Sequence, residues 1–152
     1  MSDKIKTIKT TSENKDFIDL IAAFDAYLWA KYPELKTNYW GNNIIEINPN
    51  VVLIYLGDKA VACGCFKKYD GNTVEIKRMF VSPEARGMGL AQKILQELEF
   101  MAAQSGYSNA ILETLYKQKE AIGLYQKVGY EISDNYEPYI GLKDSICMKK
   151  KI

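Results

Sequence analysis

Residues 74–91 constrain this chain more than any other stretch. An extended run, Val74-Glu75-Ile76-Lys77-Arg78-Met79-Phe80-Val81, passes through Ser82-Pro83-Glu84-Ala85 into Arg86-Gly87-Met88-Gly89 and then into a helical repeat. The hydrophobic period changes there from two to 3.6, because Leu90, Ala91, Ile94, Leu95, Leu98 and Ala102 fall on one helical face. A strand that feeds a helix through glycines presents backbone N–H groups at the positive end of the helix dipole, which makes an anion site. Glycines at 87 and 89 let the backbone approach a phosphate closely, since neither has a Cβ, and Arg86 can add charge. A pyrophosphate would fit such a loop.

The elements around it can be read from the same periodicities. Phe17, Leu20, Ile21, Phe24 and Leu28 recur at helical spacing, with Ser12 as the expected cap and a break at Tyr32-Pro33. Residues 35–49 give no clean period and read as loop with a short helix. Residues 51–56 and 60–67 are β-branched and aromatic runs around Gly57-Asp58, which predicts a hairpin. A second turn at Tyr69-Asp70-Gly71-Asn72 leads into the strand at 74–81. After the central helix, closed at Ser105-Gly106, come a strand at 110–115 and a helix at 120–128. Ala121, Leu124, Tyr125 and Val128 face inward on that helix, Gly129 ends it, and a strand at 145–149 is last. The predicted order is helix, three antiparallel strands, helix, strand, helix, strand, an α/β (α+β) class with a mixed sheet.

A length of 152 residues predicts a single domain over 1–152. Apolar residues at 47% and charged residues at 26% argue against disorder. Twenty basic against nineteen acidic side chains leave +1, too little to draw the chain to nucleic acid or an acidic membrane. Residues 1–11 lack the apolar core of a signal peptide, and no run reaches membrane-spanning length, so the expectation is cytoplasmic. Cys63, Cys65 and Cys147 fit neither a disulfide framework nor a zinc knuckle, and the chain has no histidine, so no metal is expected. The thiols read as reduced and mostly buried. Without histidine, acid–base chemistry falls to Glu, Asp, Tyr, Lys or Cys.

Three phosphate loops compete for residues 86–91. A nucleotide P-loop fails because no Lys followed by Ser or Thr comes after the glycines. A dinucleotide fingerprint is weak because Gln92 stands where a third glycine or alanine belongs. The third is the coenzyme A loop of the GNAT acetyltransferase superfamily, whose Arg/Gln-x-x-Gly-x-Gly/Ala pattern is met at Arg86, Gly89 and Ala91. The residues at 75–83 resemble that family's fourth strand. Leu124-Tyr125-Gln126-Lys127-Val128-Gly129-Tyr130 is similar to its Leu-Tyr-x-Lys-x-Gly-Phe/Tyr signature. The resemblance is clearest over 61–130.

That resemblance implies a GNAT-type fold with a mostly antiparallel sheet splayed between its fourth and fifth strands and flanking helices. It implies acetyl-CoA as co-substrate, the pantetheine arm pairing with the backbone of Met79, Phe80 and Val81. The pyrophosphate would rest on Arg86, Gly87, Met88, Gly89, Leu90, Ala91 and Gln92. A main-chain N–H near Phe80 would polarise the thioester carbonyl. Gln118 stands where many relatives carry Asn against the pantetheine. Direct transfer to a primary amine needs the neutral amine, hence a base. Glu75 matches the position of the base in the histone-acetylating branch, against a plain reading as a solvent-facing glutamate or one paired with Lys77 or Arg78. Glu113 is expected to contact substrate or act as base, against a reading as an ordinary exposed residue. Tyr125 matches the phenol that protonates the departing thiolate, against a core tyrosine. Tyr136 and Tyr139 could line a substrate pocket. The expected acceptor is a small-molecule amine ahead of a protein, and a homodimer is allowed by the family's habits. The rival function is a non-catalytic acyl-CoA-binding module. A protein-interaction scaffold ranks last.

Overall fold

The structure, a computed structural model, describes residues 4–33 and 47–152. The stretch 35–49, expected as loop with a short helix, lies mostly outside the described residues. Among the described residues, seven strands and three α-helices follow in the order β1 (Ile5–Thr10), α1 (Lys15–Lys31), β2 (Val51–Leu56), β3 (Lys59–Lys68), β4 (Thr73–Val81), a 3-10 turn (Pro83–Ala85), α2 (Leu90–Gln104), β5 (Asn109–Leu115), α3 (Lys119–Lys127), β6 (Glu131–Ser133) and β7 (Ser145–Lys151). The strands form one mixed sheet in the order β1-β2-β3-β4-β5-β7-β6. Each α-helix and each of the five expected strands is present, within two residues at either end.

Two strands were not legible. In β1 the apolar residues Ile5 and Ile8 are three apart, so no period of two marks the strand, yet it pairs antiparallel with β2 from Ile5↔Leu56 to Thr10↔Val51. Its lysines suit an edge strand, which has an unpaired side to protect. The second, β6, has three residues, too few to show any period. The expected cap of α1 also moves. Asn14 accepts from the amides of Asp16 and Phe17, whereas the Ser12 hydroxyl accepts from the amide of Asn48 at 2.7 Å.

The residues group into two compact units, 1–65 with 78–98 and 66–77 with 99–152. The first packs α1 onto its strands through Phe17, Leu20, Ile21, Val51, Leu53, Cys63, Cys65 and Phe80. Phe24 stacks on Phe80 with centroids 5.0 Å apart. In β3, Gly64 makes close packing possible: a Cβ there would lie 2.6 Å from Ile94 Cγ2 and 2.7 Å from Met79 Sδ. Gly64→Ala is therefore expected to destabilise the chain by about 1–3 kcal/mol through overpacking, measured by urea unfolding.

In the second unit, β4 and β5 pair in parallel over three residue pairs, Thr73↔Asn109 to Glu75↔Ile111. On the far side, β5 pairs antiparallel with β7 along its whole length, from Asn109↔Lys151 to Leu115↔Ser145. Helix α3 ends as its glycine predicts: Gly129 takes φ +106°, and the Tyr130 and Gly129 amides return to the carbonyls of Tyr125 and Gln126. Cys63, Cys65 and Cys147 are all buried, as expected. Among the described residues no helix is long and apolar enough to cross a membrane.

Candidate functional site

Each unit carries part of the expected machinery. In the first, the 3-10 turn after β4 releases the chain at Arg86, and Gly87 and Gly89 follow with φ +82° and +74°. Both values lie in the left-handed region that favours glycine, and open space surrounds the Cβ positions of both. The Lys93 amide reaches the Gly89 carbonyl at 3.2 Å, so the helical ladder begins there. The amides of Leu90, Ala91 and Gln92 thus belong to the first turn, which an α-helix cannot satisfy internally. Leu90 is buried and anchors the helix start, Met88 is exposed, and Ala91 and Gln92 are half-buried. Arg86 is exposed, but its Nε donates to the Val81 carbonyl at 3.1 Å and its guanidinium lies 5.0 Å from the Tyr27 ring centroid. The geometry suits an anion held by main-chain amides, with Arg86 as a flanking cation.

Upstream, Met79, Phe80 and Val81 end β4, with Phe80 buried and the other two half-buried. Arg78, just before them, has φ +60°, a backbone conformation uncommon away from glycine. Its buried guanidinium donates to Asp25 at 2.7 Å, and its carbonyl accepts from the Cys63 thiol. Nothing in the sequence could have marked this kink, because a glycine would have been the signal and none is there.

In the second unit the carboxylates gather. Glu75 is 2% exposed, so the solvent-facing reading is wrong. Its Oε2 accepts from the Tyr136 hydroxyl at 2.8 Å, while Lys77 and Lys67 Nζ lie 3.9 and 4.0 Å from Oε1. Pairing with Lys77 is thus present, and pairing with Arg78 is replaced by the Asp25 contact. Since Glu75 faces Ile111 across the ladder, and alternate strand residues share a face, Glu113 lies on the same side of the sheet. Glu113 is not an ordinary exposed residue either: it is half-buried and accepts from Ser145 Oγ at 2.8 Å. Burial pushes its carboxyl up to about 7, aided by the Glu75 charge and opposed by Ser145 and Lys77.

Tyr125 is 8% exposed and meets Tyr130 edge-on with centroids 6.0 Å apart. Burial, with the Glu113 charge, raises its phenol well above the ordinary range, so it keeps its proton at neutral pH. It packs as a core tyrosine and keeps its phenol proton. Gln118 stands at the start of α3, where its Oε1 accepts from Thr114 at 2.8 Å. The sequence missed Lys67 and Ser145 as partners of the two carboxylates; both become visible only once the strand register is known.

The first unit also holds a cavity of about 1050 Å³ lined by Asp16, Asp19, Tyr27, Asp58, Phe80 and Glu84, among others. Its lining is acidic, although Glu84 is paired with Lys59 at 2.6 Å and Asp16 accepts from Tyr55.

With this geometry in hand, comparison with known proteins gives a consistent picture. The sequence model of the acetyltransferase (GNAT) family matches residues 15–130. The IAA acetyltransferase of Azospirillum brasilense is 30% identical over 138 residues, covering 89% of this chain and 90% of that protein. A solved structure from Klebsiella pneumoniae subsp. pneumoniae, assigned there as an acyl-CoA N-acyltransferase, superposes with TM-score 0.76 at 29% identity, over 99% of this chain and 97% of its own. A GNAT family acetyltransferase from Elizabethkingia anophelis, solved with acetyl-CoA bound, gives TM-score 0.69 at 20% identity over 99% of both chains.

Proposed function

This chain belongs to the acetyltransferase (GNAT) family, and from that premise we propose that it transfers the acetyl group of acetyl-CoA directly to a primary amine. The observation that carries the reading is the loop at 86–91: two consecutive odd-numbered glycines at positive φ open α2 and turn its first-turn amides into a seat for a pyrophosphate. The residues fit the co-substrate, since a Cβ at Gly87 or Gly89 would meet nothing within 4 Å. In this reading Met79, Phe80 and Val81 pair with the pantetheine arm, the Gln118 amide touches it, and Arg86 supplies flanking charge.

Glu75 takes the proton of the attacking ammonium, so that the nitrogen lone pair can form the new bond to the acetyl carbon as the carbon–sulfur bond breaks. Tyr125 donates its proton to the departing sulfur, the second proton shed by the newly acylated nitrogen restores the phenol, and Glu113 holds the amine. The acceptor in this reading is a small molecule that is cationic in solution, matched by the carboxylates Glu75 and Glu113 on one face of the sheet. A panel of amines with acetyl-CoA, read by release of free coenzyme A, tests the proposal. Release above background with at least one amine is expected, and none with any amine sinks it. Binding without turnover would instead favour a sensing module.

Tyr125→Phe keeps the ring packing and removes only the phenol. We expect kcat to fall about tenfold, the low end for acid catalysis because a thiolate leaves readily, with KM for acetyl-CoA unchanged. An unaltered kcat would leave Tyr125 a packing residue alone.

A further inference from the structure

We propose that the segment 134–144, between β6 and β7, is the positioning device of Glu75, and that Tyr136 holds one oxygen of that carboxylate so that Oε1 is left as the atom that accepts the proton. The inference rests on Glu75 being the base, but its geometry is independent of that assignment. Tyr136 comes from a segment 61 residues away in sequence and donates to Glu75 Oε2 at 2.8 Å. The hydroxyl must be the donor, because burial and the Glu75 charge drive the Tyr136 phenol far above its ordinary range.

The segment is built to hold that phenol still. Asn135 Nδ2 donates to the carbonyls of Tyr139 and Leu142 at 3.1 and 3.3 Å, spanning the loop from inside. The Tyr139 amide returns to the Tyr136 carbonyl at 2.7 Å, and the Leu142 amide to that of Tyr139 at 3.0 Å. The Tyr136 ring is gripped edge-on by Tyr69 at 5.2 Å and by Tyr139 at 5.4 Å between centroids. A loop tied by its own amides and wedged between two rings costs little further entropy to fix a hydroxyl.

Once Oε2 is engaged, the carboxylate cannot turn without breaking a charge-assisted hydrogen bond. Oε1 then faces Lys77 from β4 and Lys67 from β3, both about 4 Å away. The other charged or titratable groups around Glu75 are Glu113 on β5, Cys147 on β7 and Tyr139 of the same segment. All of these stay in place in Tyr136→Phe, so the variant isolates the hydroxyl.

The test is the titration of the Glu75 carboxyl in protein labelled with 13C at the glutamate side chain, the resonance being assigned by its loss in Glu75→Gln. Removing a hydrogen bond to the charged form raises the midpoint, by about one pH unit for a bond of this kind. That rise is expected in Tyr136→Phe and, smaller but in the same direction, in Asn135→Ala, which loosens the loop without touching the phenol. A midpoint unmoved in folded Tyr136→Phe overturns the proposal. The measurement needs no turnover, so an inactive parent protein would defeat the proposed function while leaving the positioning role testable. If the parent is active, kcat of Tyr136→Phe is expected to fall about tenfold with its acidic limb displaced upward, and Tyr136→Phe combined with Glu75→Gln to be no worse than Glu75→Gln alone. Losses that multiply in the double variant would also overturn it.

Discussion

Replacing Gly89 with glutamate is expected to weaken acetyl-CoA binding by at least about 10²-fold in calorimetry while the chain still folds. Two separate costs add. Gly89 holds φ +74°, and a residue with a Cβ pays about 1–2 kcal/mol to stay there. The second cost is electrostatic: a carboxylate about 4 Å from a phosphate, at an effective dielectric near 20, is repelled by about 4 kcal/mol, and each 1.4 kcal/mol is about tenfold in affinity. The fold should survive because nothing lies within 4 Å of the Gly89 Cβ position. Gly89→Ala separates the costs, since it carries the strain without the charge and should lose about tenfold. Parent-like binding by Gly89→Glu would mean that the loop is only a helix start and would favour a protein-interaction scaffold.

That experiment probes the feature most legible in the sequence, and the reason it was legible is physical. A loop that must take positive φ at two positions and begin a helix directly after them has few residue choices, so Gly87, Gly89 and the apolar face from Leu90 onward leave a pattern that survives without structure. The same holds for α3, whose end is written in Gly129. Legibility fails where the determining contact is long-range. The choice of Asn14 over Ser12 as cap depends on Asn48, 36 residues beyond Ser12, capturing the serine hydroxyl. Strand β1 is held by β2 rather than by its own alternation. The surroundings of Glu75 are the extreme case. Its partners come from β3, its own strand and the segment after β6, so a strand glutamate that reads equally well as surface or base becomes a buried, held carboxylate only in the fold. The Arg78 kink is invisible for a different reason, because the residue that adopts it is not one whose type announces positive φ.

Glu75→Gln is expected to reduce kcat by about 10²-fold or more, the usual contribution of a general base, with the KM for acetyl-CoA unchanged. The amide is nearly isosteric and its oxygen can still accept from Tyr136, so the loss reports charge and basicity rather than packing. Glu113 is the rival base, and the two can be separated by pH. Glu113 sits at about 7, so if it took the proton kcat would climb as pH rises through 7 and the climb would persist in Glu75→Gln. We expect instead that Glu113→Gln raises the KM for the amine more than it lowers kcat. A stability measurement checks the Glu113 value independently of any reaction. Folding raises its carboxyl from the ordinary 4.5 to about 7, so between those values the folded chain binds a proton that the unfolded chain has released. Stability should therefore fall as pH rises across that window, and the fall should be smaller in Glu113→Gln. If Glu75→Gln keeps parent-like turnover while Glu113→Gln loses it together with that pH slope, the base is on β5, and Tyr136 would position a carboxylate that only shapes the field around it.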